Sequence, residues 1–373
     1  MRTIGRFIGL PAGSTGQPLS ISLLSVVLAF LGLGVILWFV HEYHFRAVVG
    51  TLAHAGPRLA IVIVVRLAII VVCSLAWWHL LQGRVALSLT IGLRTIREAV
   101  NVLLPVAAGG DVVRARLLNF SGVSGMVAAA STVVDLFLET SAQVLFALIG
   151  VALLMRVAGG GVVKASWAVP GFAIAALALA GFYAAQRFGG GWLSDLLARR
   201  RFAGRLLPFA AISRLHAALQ AIYADRRSLA VAFSLHEFAW LLGSLEIWTA
   251  LRLMGVPVGI VTSVILESLS QASRAAGFAV PSRLGVQEAA FLALGSVFGI
   301  PPDAALALSL VKRVPDFAIG VPGLVAWYWL EIRRLVPNAA SSPRRRGQGA
   351  GLRGLEPLVR GAGRTSQPED QDG

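Results

Sequence analysis

Long apolar runs, each sufficient to cross a bilayer as a helix, restrict this sequence to a membrane fold. A helix needs about 20 mostly apolar residues to span a hydrocarbon core about 30 Å thick. The chain is 57% hydrophobic and only 14% charged, and its mean hydropathy of +0.76 lies well outside the range of soluble domains. We therefore predict an all-α polytopic membrane protein. Its six predicted full spans cover residues 20–40, 59–81, 124–155, 167–186, 229–253 and 303–330.

Two matching breaks interrupt the remaining apolar sequence. Each is a Pro-x-x-x-Gly motif; Pro105 and Gly109 delimit the first, and Pro281 and Gly285 the second. Proline removes a helix donor and glycine adopts unusual dihedral angles, so each motif predicts a helix, a sharp turn and a second helix. Backbone at membrane depth leaves the helix only where protein or a water-filled cavity satisfies it, and paired broken helices indicate a transport site.

The breaks predict two broken helical hairpins, over residues 85–122 and 259–299, that are either re-entrant or fully spanning. Both choices return the chain to its starting side, so the topology of the other spans is unchanged. With these hairpins, the repeat units cover residues 59–155 and 229–330 and enter from opposite faces. The predicted fold is therefore an inverted repeat.

Arginine accumulates at the N-terminus, in the loop over residues 187–227 and in the tail from residue 333. Because cytoplasmic loops carry the positive excess, we predict a multi-pass protein with both termini in the cytoplasm. The tail is poor in large apolar residues and is predicted to be disordered. The predicted divisions are a cytoplasmic N-terminus over residues 1–18, a transmembrane domain over residues 19–335 and a basic cytoplasmic tail over residues 336–373.

Charged side chains within the predicted membrane segments are numerous and balanced. Nine are basic and nine are acidic, so the net charge of +15 belongs to the loops and tail. One charge at the centre of a membrane helix costs roughly 2.5 to 3.5 kcal/mol, so we expect these side chains to face inward. They recur at steps of three and four residues, which places them on one helix face and predicts a central polar cavity or an ion-pair network. The polar stripes are Arg94, Arg97 or Glu98, and Asn101; Thr132, Asp135, Glu139 and Gln143; Ser263, Glu267, Gln271 and Arg274; and Ser309, Lys312 or Arg313, Asp316 and Gly320.

A helix beginning after each glycine would direct its positive dipole end into this polar space, which suits an anionic or polar headgroup. Asp111 and Glu288 stand near those predicted N-termini, where a carboxylate either caps the helix or contacts a substrate. No motif for nucleotide hydrolysis is present, and His236-Glu237 lacks the second histidine of a zinc helix. The single Cys73 excludes an intramolecular disulfide. No metal and no cofactor is predicted.

The stretch from Asn101 to Arg114, then Asp135, and the stretch from Val280 to Arg313 resemble the membrane domain of lysylphosphatidylglycerol synthases. This family is also described as flippase-like, and the resemblance covers roughly residues 19–335. Within the family the chain is most similar to the stand-alone integral membrane protein associated with hopanoid biosynthesis in Gram-negative bacteria. Full-length synthases carry a soluble aminoacyl transferase domain after the membrane part. Here only a short tail follows, so we expect no lysine transfer and no enzyme activity.

The resemblance implies an inner-membrane lipid transporter or flippase that moves an amphipathic lipid, with a hopanoid as the candidate, between leaflets. The alternatives are a membrane-embedded enzyme that modifies a lipid headgroup or isoprenoid, and a structural partner of lipid-biosynthesis enzymes. Besides its lipid substrate, the expected partners are anionic headgroups at the basic loops and tail and lipid-biosynthesis proteins; nucleic acid is not expected. The candidate substrate-cavity residues are Arg97, Arg114, Asp135, Glu139, Glu267, Arg274, Glu288, Arg313 and Asp316.

Overall fold

The computed structural model describes residues 56–103, 109–158, 165–199, 209–276 and 285–335, and within these ranges the chain forms ten α-helices and no strand. The predicted all-α polytopic fold is confirmed. The predicted span over residues 20–40, the prolines Pro105 and Pro281, and the tail lie outside the described residues. The helices are α1 Ala60–Leu80, α2 Leu87–Leu103, α3 Gly109–Phe120, α4 Gly125–Ala158, α5 Ala165–Arg199, α6 Phe209–Ala224, α7 Arg226–Leu253, α8 Ile260–Ala276, α9 Val286–Val297 and α10 Pro302–Leu335.

Three described segments are long and apolar enough to cross a membrane. They are Gly56–Leu80, which joins a short 3-10 turn to α1, then Gly125–Val157 in α4, and Arg226–Leu253, which is α7. The helices at two further predicted spans, α5 and α10, have 35 and 34 residues. Because α5 continues to Arg199 and α6 follows, much of the predicted loop over residues 187–227 is helical.

Large apolar side chains are exposed along one face of helices α1 and α10. Their steps of three and four residues place each set on a single helix face. Exposed apolar stripes of this kind are unfavourable in water and suit contact with lipid tails. The polar stripe of α10 therefore shares its helix with an apolar face. The exposed stripes are Ile61, Val64, Leu67 and Val71 on α1, and Val314, Phe317, Val321 and Val325 on α10.

Two series of four helices have matching lengths. We call α1–α4 the first series and α7–α10 the second. Helices α2 and α8 each have 17 residues, α3 and α9 each have 12, and α4 and α10 each have 34. The second member of each hairpin begins at its predicted break: Gly109 is the first residue of α3, and Gly285 lies directly before α9 with φ of 80°. Glycine adopts this left-handed conformation without a Cβ clash.

The first helices of the two series, α1 and α7, run antiparallel. Near the start of α1, Arg66 Nη2 donates to Glu246 Oε1 near the end of α7, at 3.0 Å. After the end of α1, Gln82 Nε2 donates to Oδ2 of Asp225, the N-cap of α7, at 3.4 Å. Hydrogen bonds from Ser228 hold the pKa of Asp225 below its usual value. Opposite directions of corresponding helices are what an inverted repeat requires.

The long helix of each series packs closely on the first hairpin helix of the other series. Gly150 on α4 faces Ser268 on α8, and Gly323 on α10 faces Thr95 and Ala99 on α2. A Cβ atom at Gly323 would lie 2.8 Å from the Cβ of Ala99 and 3.1 Å from the backbone oxygen of Thr95. Both values are too short for ordinary contact, so the glycine permits the close approach of the helices.

Replacing Gly323 by Ala should destabilise the protein, because the added methyl group overlaps the backbone of α2. We expect a loss of about 1–3 kcal/mol relative to the matched variant Gly92→Ala. Gly92 is also helical, and no neighbouring atom lies within 4 Å of the position that its added methyl group would occupy. Unfolding of both variants in one detergent measures the difference. Equal stabilities would show that α2 and α10 separate freely.

Candidate functional site

Buried charged side chains of the two helix series form two ion-pair networks. The first network lies on α2, α3, α4 and α7, and the second on α1, α7, α8, α9 and α10. The first network consists of Arg94, Arg97, Glu98, Asp111, Arg114, Asp135, Glu139 and His236. The second network consists of Arg66, Glu246, Glu267 and Lys312, together with the separate pair Glu288 and Arg313, which adjoins it because Arg313 follows Lys312 on α10.

Arg94 of the first network contacts three carboxylates. Its Nη2 lies 2.7 Å from Glu139 Oε1, its Nε lies 3.0 Å from Glu98 Oε1, and its Nη1 lies 3.6 Å from Asp135 Oδ2. The side-chain exposure of these acids falls from 33% for Glu98 to 16% for Glu139 and 0% for Asp135. The three acids therefore lead from a partly exposed edge to the fully buried centre of the network.

Arg97 joins the two helices of the first hairpin. Its Nε donates to Asp111 Oδ1 on α3 at 2.7 Å. The amide of Asn101 donates to Asp111 Oδ2 at 3.4 Å, while its carbonyl oxygen accepts from the backbone N–H of Gly110 at 2.8 Å. A side chain at Gly110 would collide with the carbonyl oxygen of Arg97. Asp111 stands in the first turn of α3, where its carboxylate binds arginine from both helices of the hairpin.

Arg114, which is fully buried, binds two carboxylates of the first network. Its Nη1 donates to Asp135 Oδ2 at 2.7 Å and its Nη2 to Asp111 Oδ1 at 3.1 Å. Its guanidinium lies 4.4 Å from the centre of the Trp77 ring on α1, a cation–π contact. On the other side of Asp135, Oδ1 lies 3.0 Å from Nε2 of His236 on α7. Four helices thus meet around one carboxylate.

Lys312 holds the centre of the second network. Its Nζ donates to Glu267 Oε2 at 2.7 Å and lies 3.7 Å from Glu246 Oε1. The other oxygen of Glu267 accepts from the side-chain amide of Gln271 at 2.8 Å, and Glu246 also accepts from Arg66. Lys312 and both of its acidic partners are almost fully buried. An ammonium and two carboxylates therefore tie α10 to α7 and α8.

Arg313 connects α10 to the first turn of α9. Its Nε and Nη2 donate to the same oxygen of Glu288, Oε1, at 3.1 and 2.8 Å. Glu288 is buried, whereas Arg313 is 19% exposed and lies at the edge of the second network. Arg66 also interacts electrostatically with Glu98 of the first network. The two networks are thus neighbours inside the protein.

The structure brings together seven of the nine predicted cavity residues. Arg97, Arg114, Asp135 and Glu139 belong to the first network, and Glu267, Glu288 and Arg313 belong to the second. Of the other two, Arg274 is partly exposed near the end of α8. Asp316 is partly buried on α10, one turn beyond Lys312, and interacts electrostatically with Arg66. Of the two predicted arrangements, the described side chains adopt the ion-pair network.

Some members of the networks were not among the predicted cavity residues. Arg94 and Lys312 belonged to the predicted polar stripes, so spacing had already placed them on the inner faces. His236 was set aside because no zinc motif surrounds it. Gly243 and Glu246 follow His236 by seven and ten residues, spacings that place the three on one face of α7. This pattern would have predicted that His236 faces inward. Glu98 belonged to a predicted stripe and Asp111 was predicted at the start of α3 as a cap or a substrate contact, so the members outside any predicted stripe or helix start are Arg66 and Glu246.

A comparison with known protein families matches residues 22–323 to the lysylphosphatidylglycerol synthase TM region. The matched range covers most of the chain, both predicted breaks and both ion-pair networks. The chain belongs to the lysylphosphatidylglycerol synthase transmembrane family. Comparisons with curated proteins and with solved structures found no match. Family membership agrees with the membrane fold and indicates a role in lipid handling.

Proposed function

We propose that this protein is a bacterial inner-membrane transporter that moves an amphipathic lipid, with a hopanoid as the candidate substrate, between the leaflets. The observation that carries the proposal is the pair of neighbouring buried ion-pair networks on two antiparallel helix series. The polar end of the lipid would pass along the networks while its apolar body stays in contact with the exposed apolar helix faces. Such a route needs no large soluble binding domain.

The burial of the charges supports a polar ligand. Taking a charged pair out of water costs free energy that well-packed apolar residues avoid, so a purely structural interior has little need of such pairs. Ion pairs, in contrast, exchange partners with a polar headgroup without leaving a charge unpaired. Each network has a partly exposed member at its edge, Glu98 in the first and Arg313 in the second. We assign these edges as the places where a headgroup first meets the networks.

The predicted orientation completes the proposal. The arginine-rich segments are assigned to the cytoplasmic side, where they would contact anionic headgroups and lipid-biosynthesis proteins. The antiparallel α1 and α7 support two units of opposite orientation. A transporter built in this way would present one hairpin to each membrane face.

The Arg313–Glu288 pair provides a direct test of transport. Replacing Arg313 by Ala or Glu288 by Gln should slow lipid movement about tenfold or more, because each change removes charge-assisted hydrogen bonds worth roughly 1.5–3 kcal/mol. The assay uses proteoliposomes containing a fluorescent phospholipid and follows quenching of the outer leaflet by dithionite. The matched control is Arg252→Ala, since Arg252 is exposed on α7 and contacts Trp248 outside both networks. Equal rates in all four proteins at equal protein amounts would contradict the proposal.

Lipid analysis of a deletion strain separates transport from the alternatives. A transporter changes which membrane or leaflet contains the lipid, while the total amounts of product and precursor stay the same. An enzyme that modifies a headgroup or isoprenoid leaves a missing product or an accumulated precursor. A structural partner tolerates Arg313→Ala and Glu288→Gln although deletion of the whole protein has an effect.

A further inference from the structure

The first network has an excess of one negative charge unless it binds a proton. Its fixed charges are three arginines and four carboxylates, and His236 is its only histidine. An uncompensated charge is expensive inside a membrane protein, so the network favours a state that carries one additional positive charge. A protonated imidazole at His236 supplies that charge and makes the network neutral.

The geometry of His236 fits this role. The side chain is 1% exposed, and its Nε2 lies 3.0 Å from Asp135 Oδ1, so an N–H at this nitrogen donates to the carboxylate. Asp135 is fully buried, and its second oxygen accepts from Arg114. The other ring nitrogen of His236, Nδ1, has no hydrogen-bond partner among the described residues. The ring is therefore oriented by Asp135 through Nε2.

Ionisable groups on α1, α2, α3 and α4 lie around the His236 ring or reach it through Asp135. Asp135 and Glu139 on α4 interact with it, and the Cys73 thiol on α1 lies close to it. Arg114 on α3 and Arg94 on α2 reach it through Asp135. Helix α8 also packs on α7, and its Glu267 lies against Gly243, two turns away from His236. Within the described residues, no three His, Cys, Asp or Glu side chains form a group that could hold a metal ion.

We propose that His236 and Asp135 form a buried proton-binding site whose occupancy sets the charge of the first network. The imidazolium of His236 releases one N–H proton to water and becomes a neutral imidazole, and the increasing exposure of Glu139 and Glu98, which Arg94 joins to Asp135, marks the side of the network nearest to water. No bond other than those to the proton is broken. Release leaves the network with one negative charge in excess and Asp135 without one of its two close cationic partners. A role in transport rests on the proposed function. During transport, proton binding and release would switch the network between a closed neutral form and an open charged form.

Unfolding of the full-length protein in detergent tests the proton site without any transport assay. An imidazole in the unfolded chain loses its proton near about pH 6.5, whereas the proposed site in the folded protein retains it, so the wild-type folding equilibrium should weaken by up to about tenfold per pH unit as the pH rises above this value. The change His236→Gln keeps a side-chain N–H for Asp135 but cannot titrate, so this pH dependence should be lost. The control His216→Gln alters a histidine on α6, paired with Gln220, and should retain it. Wild-type pH dependence in His236→Gln would overturn the proposal.

A second variant decides the case if His236→Gln fails to fold. Glu98 is partly exposed at the edge of the network, so Glu98→Gln removes one negative charge with little disturbance of the core. The network then needs no additional positive charge, and proton release should shift toward lower pH. An unchanged pH profile in Glu98→Gln would contradict the proposal.

The lipid-movement assay separates this proposal from the proposed function. If both hold, lipid movement by the wild type depends on pH and that of His236→Gln does not. If the wild type moves no lipid at any pH, the proposed function fails, while the unfolding profiles still decide whether the proton site exists. If lipid moves at the same rate across the pH range, transport stands and coupling to the proton is excluded.

Discussion

Replacing Arg114 by Met is expected to lower the free energy of unfolding by about 3–5 kcal/mol, because it removes a buried cation that two buried carboxylates share. Arg114 binds Asp135 and Asp111 and covers the ring of Trp77, and it is fully buried. Methionine fills much of the same volume, so the loss reports the missing charge more than a cavity. The measurement is unfolding of the purified protein in detergent or in a lipid nanodisc.

The matched control for this change is Arg84→Met. Arg84 is exposed in the turn between α1 and α2 and donates to Gln82 at 3.3 Å, so its loss should change stability by no more than about 0.5 kcal/mol. Similar unfolding midpoints for the two variants would mean that Asp135 and Asp111 find other partners, or become protonated, at little cost.

The Lys312–Glu267 pair is expected to show an equally large loss, together with a partial rescue. Lys312→Met leaves Glu267 buried without its ammonium partner and should cost about 3–5 kcal/mol. Adding Glu267→Gln removes the unpaired charge and keeps an acceptor for the amide of Gln271. The double variant should therefore be more stable than Lys312→Met alone.

A double-mutant cycle measures the coupling within this pair. We expect a coupling energy of about 1–3 kcal/mol between Lys312 and Glu267. Strictly additive effects of the two changes would show that the 2.7 Å contact contributes nothing beyond the separate environments of the side chains. Lys312→Met also removes the 3.7 Å contact with Glu246, but this loss is common to both members of the cycle that carry the change, so it cancels from the coupling energy.

Hydropathy and helical spacing were sufficient to predict the helices and most of their inward faces. Each predicted polar stripe has the period of a helix, and lipid excludes charged groups from the outer face. Asp135 and Glu139 belong to one stripe, and Glu267 and Lys312 to two others. Both broken hairpins were also predictable, because proline and glycine impose their local geometry without help from tertiary structure. The structure describes helices on both sides of each break.

The pairing of the charges was beyond sequence reasoning. Arg66 and Glu246 are 180 residues apart, and His236 and Asp135 are 101 apart, so their contacts depend on how α1, α4 and α7 cross. Helical periodicity gives the direction of a side chain around its own axis but not its partner on another helix. The helical extension of α5 over part of the predicted loop was missed for a different reason: the arginines there masked an apolar helical pattern.

The equal lengths of the corresponding helices allow their positions to be aligned, and the aligned positions differ in charge. Asp135 and Lys312 both occupy the eleventh position of their 34-residue helices, and each is the buried centre of its network. One centre is an acid and the other is a base. The two helix series thus match in helix length but differ in charge at matching positions, and the two ends of any polar path through them are not interchangeable.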